Sequence, residues 1–168
     1  MNKKKTICII LTLLWVAVIF TFSLQPAKVS SDISSLFLDK FLKTVFPSVY
    51  ERLETIPKEQ VELWHTIVRK CAHFLEFCIL GILSSLTVSQ TKLSRKKLIT
   101  MCFCVAVAAT DETIQLFVDG RAGRVMDVLI DSIGSMFGIF ISFLICEFIL
   151  TCSKMRDNIT TMNKKRKK

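Results

Sequence analysis

Four apolar stretches constrain this chain more than any other feature of its sequence. They cover residues 6–24, 71–89, 98–118 and 128–152, and a helix needs about 17–25 apolar residues to cross the hydrocarbon core of a bilayer. With 51% hydrophobic residues among 168 and a mean hydropathy of +0.48, the chain is also more apolar than an ordinary soluble domain. The sequence therefore predicts a single all-α domain, an integral membrane bundle of four transmembrane helices with a basic tail over residues 153–168.

The distribution of basic residues predicts the orientation of this bundle. Lysine and arginine in short loops tend to stay on the cytoplasmic side of a membrane. The first stretch is longer than a signal-peptide core of about 7–15 residues, so we expect an uncleaved anchor. Both termini and the 90–97 loop are then cytoplasmic, since they carry the basic clusters Lys3, Lys4, Lys5, Lys92, Arg95, Lys96, Lys97, Lys154, Arg156 and the KKRKK end.

The net charge of +9 follows largely from these clusters. In a soluble protein such a charge would point to nucleic acid. Beside four apolar spans it instead favours contact of the basic tail with anionic membrane lipid. We therefore expect a membrane-lipid partner and no nucleic-acid partner.

A further helix is predicted outside the membrane, between the first two spans. Apolar residues recur there mostly at three- and four-residue intervals, which is the pattern of one helical stripe. This amphipathic external helix either lies in the outer interface or packs over the bundle. Pro57 then starts a helix that can run straight into the second span. The stripe consists of Ile33, Leu36, Phe37, Phe41, Val45 and Phe46.

Each of the last three spans carries one polar stripe at its outer end when it is projected at about 100° per residue. The depths of the stripes agree, so they predict one cup that opens outward. Beneath the cup, Gly134 and Gly138 form a small-xxx-small pattern that lets helices pack closely. The stripes are Arg69, His73 and Glu76 in the second span, Asp111, Glu112 and Gln115 in the third, and Arg124, Asp127 and Asp131 in the fourth.

Two interpretations of the cup remain open. Its charged groups can be salt bridges that hold the bundle together. Ionisable groups within a membrane are rare, however, and by default they indicate a functional site. The convergence of at least five carboxylates and one histidine favours function.

The same residues carry a family resemblance. In order and spacing they resemble the motifs H-F-x-E-Y, D-E-x-x-Q-x-F, G-R-x-G and D-x-x-x-(D/N)-x-x-G-x-x-x-G of VanZ-like membrane proteins. The resemblance implies a multi-pass protein of the bacterial cell membrane that is linked to resistance against the glycopeptide teicoplanin, and it implies no settled reaction. The matching segments are HFLEF at 73–77, DETIQLF at 111–117, GRAG at 120–123 and DVLIDSIGSMFG at 127–138.

The chemistry of the cup suggests roles for its residues. His73 and Glu76 can act as a general base and its orienting partner, or as ligands of a divalent ion together with Asp127 and Asp131. An oxygen-rich set with one nitrogen donor favours Mg²⁺ or Mn²⁺ over a structural Zn²⁺, while a catalytic Zn²⁺ stays open. The candidate catalytic residues are His73, Glu76, Asp111, Glu112 and Gln115.

Arg69, Arg121 and Arg124 are the candidate substrate-binding residues. Their planar guanidinium groups can clamp a phosphate or carboxylate through two parallel hydrogen bonds. The alternative for the GRAGR loop is an external turn whose arginines meet lipid head groups.

Three functions are compatible with these features. The leading hypothesis is an envelope factor that engages an anionic lipid-linked cell-wall component at the outer leaflet and hydrolyses or transfers a group on it. The second is a non-catalytic binding or shielding factor. The third, a proton-coupled small transporter, would need polar residues farther inward, where Glu147 is the only deep acid.

Overall fold

The structure, a computed structural model, consists of helices and short connections without strands in the described residues, which are 3–50 and 57–166; the side chains of residue 49 and residues 157–166 are not described. The predicted all-α class is confirmed over this part of the chain. The helices are α1 (Lys3–Ser23), α2 (Ala27–Val45), α3 (Pro47–Tyr50), α4 (Lys58–Ser89), α5 (Lys96–Gln115) and α6 (Val125–Arg166).

Four of these helices are long and apolar enough to cross a membrane, as the sequence predicts. They are α1, α4, α5 and the Val125–Arg156 part of α6. Helix α4 begins at Lys58, directly after Pro57, so the helix that starts there does run straight into the second span. Helix α5 ends at Gln115, where backbone N–H groups of Leu116 and Phe117 turn back to the carbonyl groups of Thr113 and Ile114.

Helix α4 is the centre of the bundle, because it packs against α1, α2, α5 and α6. The core is small and lies between α1, α4 and α5. Elsewhere the apolar side chains of the spans point outward, as Leu13 of α1 does with 60% exposure. Such an outward apolar surface is what lipid contact requires. The buried core residues are Ile19, Phe77, Leu80, Cys104, Val107 and Ala108.

Helices α4 and α6 pack backbone to backbone, and glycines make this possible. A Cβ added at Gly134 would strike the carbonyl oxygen of Phe74, and one at Gly138 would strike that of Cys78. On the other side of the contact, a Cβ at Gly81 would strike the carbonyl oxygen of Ser135. The predicted close packing at the small-xxx-small pattern is confirmed, and its partner helix is α4.

Helix α2 follows α1 after a short turn and lies along the first part of α4. Leu38 and Leu42, one helical turn apart, are buried in this contact. Part of the apolar stripe that predicts the helix points away from this contact, as Leu36 does with 70% exposure. Other residues of the stripe line the cavities between α2 and α4, namely Ile33, Phe41 and Phe46, so lipid contact and packing over the bundle both stay open for this stripe.

Candidate functional site

Three helices bring one ionisable side chain each to a single point. His73 of α4, Asp111 of α5 and Asp131 of α6 offer nitrogen or oxygen atoms that lie within 4.8 Å of one another. Asp111 and Asp131 are 0% exposed, and the His73 side chain keeps 17% exposure. The three polar stripes therefore meet, and only the histidine reaches the surface of the resulting cluster.

Asp111 is fixed through both of its carboxylate oxygens. Gln115, one turn farther along α5, donates from Nε2 to Asp111 Oδ2 at 3.0 Å. The hydroxyl of Ser23, the last residue of α1, donates to Asp111 Oδ1. Ser23 is itself buried, and sequence reasoning missed it because a serine at the end of an apolar span carries no signal of a distant partner.

Asp131 differs from Asp111 in its hydrogen bonding. Neither of its carboxylate oxygens has a hydrogen-bond partner among the described residues, and the same holds for His73 Nδ1 and Ser135 Oγ. His73 Nδ1 faces Asp131 Oδ1 at 3.9 Å, which is too long for a hydrogen bond. Buried polar atoms without partners are rare in native proteins and call for an explanation.

Glu112 fastens the α5–α6 connection to α5. Its Oε2 accepts the backbone N–H of Arg124 at 2.7 Å, and its Oε1 accepts Gln115 Nε2 at 3.2 Å. Arg124 directly precedes α6, so the carboxylate lies at the positive end of the α6 dipole. The geometry gives Glu112 a structural task, although the sequence suggests a catalytic one.

Asp127 and Glu76 lie near the cluster but outside the group of three. Asp127 Oδ1 pairs with Lys70 Nζ at 2.9 Å, a partner that the sequence pattern did not identify. Glu76 lines a neighbouring cavity, and its backbone carbonyl accepts the indole N–H of Trp15 at 2.9 Å. Of the four residues predicted as metal ligands, His73 and Asp131 belong to the group, and Asp111 joins them.

The predicted arginines lie at two cavities that meet at His73. The larger, of about 200 Å³, runs between α1, α2 and α4 and is called here the arginine cavity. The smaller, of about 110 Å³, lies against the α5–α6 connection. Arg69, His73 and Arg121 line both cavities, while Arg124 lines only the smaller one.

The arginine cavity is lined by two arginines, Arg69 and Arg121, and by one acid, Glu76. Arg121 donates from Nη2 to the carbonyl oxygen of Phe22 at 3.2 Å, which leaves most of its five N–H donors free. Burial, and next the charge of Arg69, lower the pKa of Arg121. Within the described part of the chain, no carboxylate lies within 4.0 Å of the guanidinium nitrogens of Arg69 or Arg121. An anion in the cavity would relieve this repulsion.

An apolar groove of about 440 Å³ continues the contact between α2 and α4. On α2, Ser30 and Ser34 line the arginine cavity, and Leu38 and Leu42 line the groove. These four residues follow at intervals of four, so they lie on one face of the helix. Two cavities therefore follow one another along α2, one polar and one apolar; they share no lining residue, and together they are called here the crevice. The groove residues are Leu38, Phe41, Leu42, Phe46, Trp64, Ile67 and Val68.

Comparison with known proteins identifies the family. A family model described as VanZ/LLP1 matches residues 8–150, a range that includes all six helices at least in part. A search of curated proteins and of solved structures found no match. The match covers most of the chain, including every residue of the cluster and the arginine cavity, so the chain belongs to the VanZ/LLP1 family of membrane proteins, whose name is tied to teicoplanin resistance.

Proposed function

We propose that this protein binds an anionic, lipid-linked component of the bacterial cell envelope in the crevice between α2 and α4, and that it hydrolyses or transfers a group on that component. The observation that carries the proposal is the order of the two cavities along one face of α2. Arg69 and Arg121 line the polar end of the crevice, and Leu38 and Trp64 line its apolar end. An amphiphile with a phosphate and a hydrocarbon chain matches both ends.

The chemical step is assigned to His73. This residue lies in the wall of the arginine cavity, and with Nδ1 turned toward Asp131, Nε2 is the nitrogen that remains to accept a proton. His73 takes the proton from a water as its oxygen attacks the phosphorus, and the proton then passes to the leaving oxygen. Arg69 and Arg121 hold the phosphate oxygens as negative charge shifts onto the leaving group.

The second candidate function is binding or shielding without catalysis. It is favoured by the structural engagement of several polar residues of the cup. Glu112 holds the α5–α6 connection, Gln115 holds Asp111, and Asp127 pairs with Lys70. Transport is the weakest candidate, because the glycine contacts of α6 with α4 leave no space beneath the cluster for a path along that contact.

We place the arginine cavity at the outer face of the cell membrane, with both termini in the cytoplasm. The basic residues support this orientation. Helix α2 then lies at the outer interface, and its exposed apolar residues, such as Leu36 and Phe37, face the lipid. The basic α4–α5 connection lies on the opposite, cytoplasmic side.

Cysteine labelling tests this topology. In a background without the seven native cysteines, Ala122→Cys should react with a membrane-impermeant maleimide in intact cells, because Ala122 is exposed in the α5–α6 connection. Ser94→Cys, in the α4–α5 connection, should react only after the cells are opened. Labelling of Ser94→Cys in intact cells, with Ala122→Cys protected, would invert the orientation and move the site to the cytoplasm.

Binding to nanodiscs tests the ligand class. We expect polyprenyl phosphate in nanodiscs to bind the purified protein, and the uncharged polyprenol with the same chain to bind at least about tenfold more weakly, since a hydrogen bond to a charged group contributes about 1.5–3 kcal/mol. Arg69→Lys should weaken phosphate binding by a similar factor, because lysine keeps the charge and loses the planar fork. An excess of phosphatidylglycerol tests whether any anionic lipid suffices.

The matched control for Arg69→Lys is Lys40→Gln, which removes a charge from the exposed side of α2. It should leave polyprenyl phosphate binding unchanged. If Arg69→Lys binds as tightly as the wild type, or if the polyprenol and its phosphate bind equally, then the arginines do not recognise phosphate and the proposed ligand is wrong.

A further inference from the structure

Among the described residues, most of the buried polar side-chain atoms without a hydrogen-bond partner belong to the cluster of His73, Asp111 and Asp131. Asp131 is 0% exposed, and neither of its oxygens finds a hydrogen-bond partner among the described residues. His73 Nδ1, which points at it, is also without a partner. The buried hydroxyl of Ser135, one turn farther along α6, also lacks a hydrogen-bond partner among the described residues. A buried carboxylate in this state is expensive unless a cation or a proton neutralises it.

We propose that His73, Asp111 and Asp131 bind one divalent transition-metal ion, Mn²⁺ or Zn²⁺. The inference does not depend on the proposed lipid binding, but it replaces the general-base role of His73, because a neutral imidazole that binds an ion through Nδ1 carries its proton on Nε2. One imidazole nitrogen and two carboxylate oxygens form a three-ligand set with further positions open for water or substrate. The nitrogen donor favours Mn²⁺ or Zn²⁺ over Mg²⁺, which keeps mostly oxygen ligands.

The charges of the cluster fit a divalent ion. Two carboxylates with a neutral imidazole carry two negative charges, which one divalent cation neutralises. None of the basic groups of the described residues lies within 4.0 Å of Asp111 or Asp131 apart from His73; Lys70 pairs with Asp127 and Arg121 donates to Phe22. A neutral buried centre avoids the penalty of several kcal/mol that an unpaired buried ion would carry.

The three ligand atoms lie slightly too far apart to bind one ion, so their side chains must move a little closer together. Ligand atoms bound at about 2.0–2.2 Å lie at most about 4.4 Å apart, and here the ligand atoms lie within 4.8 Å. The gap of 3.9 Å between His73 Nδ1 and Asp131 Oδ1 already lies in the range for two ligands of one ion. Rotation of these side chains, which make no hydrogen bonds that would resist it, completes the site.

The cluster has a route by which an ion can enter and hydrogen bonds that hold one of the ligands. His73 lines the two cavities, so an ion can enter past its exposed edge. Asp111 is held by Ser23 and Gln115, the kind of outer hydrogen bonding that orients metal ligands. Ser23 and Gln115 are therefore positioning residues, and Ser23→Ala should weaken metal binding about tenfold.

Metal binding by the full chain in nanodiscs tests the proposal. After treatment with a chelator and dialysis, we expect the protein to bind about one Mn²⁺ per chain, measured by electron paramagnetic resonance, and to compete for it with Zn²⁺. The bound Mn²⁺ should show coupling to one ¹⁴N nucleus, and His73→Gln should remove that coupling. Asp131→Asn should weaken Mn²⁺ binding at least about tenfold, because it replaces a charged ligand by a neutral amide.

The control is Asp127→Asn, which removes a carboxylate that Lys70 already pairs and should leave Mn²⁺ affinity unchanged. If Asp131→Asn fails to fold, the ¹⁴N signal of the wild type and its loss in His73→Gln still decide. Absence of stoichiometric Mn²⁺ or Zn²⁺ binding, or binding that survives His73→Gln and Asp131→Asn together, would overturn the proposal and assign the neutralising charge to a shared proton. Polyprenyl phosphate binding is measured separately without metal, so either proposal can fail alone.

Discussion

Gly138→Leu should prevent this protein from folding into its native bundle. Even a Cβ at this position would strike the carbonyl oxygen of Cys78, so a leucine forces α6 away from α4. Overpacking in a well-packed core usually costs about 1–3 kcal/mol. We expect a larger loss here, because the obstacle is a backbone atom that cannot rotate aside and because α6 packs more on α4 than on any other helix.

The measurement is the fraction of monodisperse protein after detergent extraction, together with its thermal unfolding. Ala109→Leu is the matched control, since Ala109 lies on the exposed face of α5 and the added volume meets lipid. We expect the control to match the wild type and Gly138→Leu to be lost to aggregation or degradation. A folded Gly138→Leu protein with an unchanged melting temperature would contradict the backbone contact.

The spans could be predicted from sequence because their signal is local. A run of apolar residues long enough to cross a bilayer has few alternatives, and all four spans occur in the structure. Their ends are less well specified by apolarity. Helix α4 starts at Lys58, well before the apolar run, because Pro57 favours a helix start and polar residues can extend a helix into water.

The convergence of three polar stripes follows from helical periodicity, but the partners within the cup do not. Periodicity places His73, Asp111 and Asp131 on inward faces, and the structure brings them together. The pairing of Asp127 with Lys70 and of Asp111 with Ser23 depends on the rotation and height of whole helices. Those quantities are set by long-range packing, such as the glycine contacts of α6, so a local pattern cannot specify them.

Long-range packing also limits what the sequence predicts about the external helix α2. Its apolar stripe predicts the helix, but a stripe does not say whether lipid or protein covers it. Leu38 and Leu42, which lie off the stripe, are buried toward α4, and Phe41 and Phe46 of the stripe line the groove beside them. Apolar residues therefore occupy two faces of α2, one toward α4 and one exposed, and this arrangement suits a helix held between a bundle and a membrane surface.

We propose that this protein protects its host against teicoplanin, the resistance to which its family name is tied, and we expect His73→Gln to abolish that protection. The imidazole is the group of the cluster that reaches the arginine cavity, and loss of a general base typically lowers a rate by about 10²–10⁴-fold. In a susceptible host, the wild-type chain should raise the minimal inhibitory concentration and His73→Gln should return it to the vector level. Removing a partner of a buried charge can cost about 3–5 kcal/mol, so both proteins are compared by monodispersity and melting temperature.

One further variant and one further measurement separate the three functions. Glu147→Gln changes an exposed acid near the middle of α6, toward the inner end of its apolar span, and should keep full protection, whereas a proton-coupled transporter that uses this acid would lose it. Polyprenyl phosphate binding then distinguishes catalysis from shielding, because His73→Gln should still bind through Arg69 and Arg121, which line the same cavity. Loss of protection with binding retained supports a chemical step at His73. If a folded His73→Gln protein protects as well as the wild type, the cluster has no part in resistance and its role is structural.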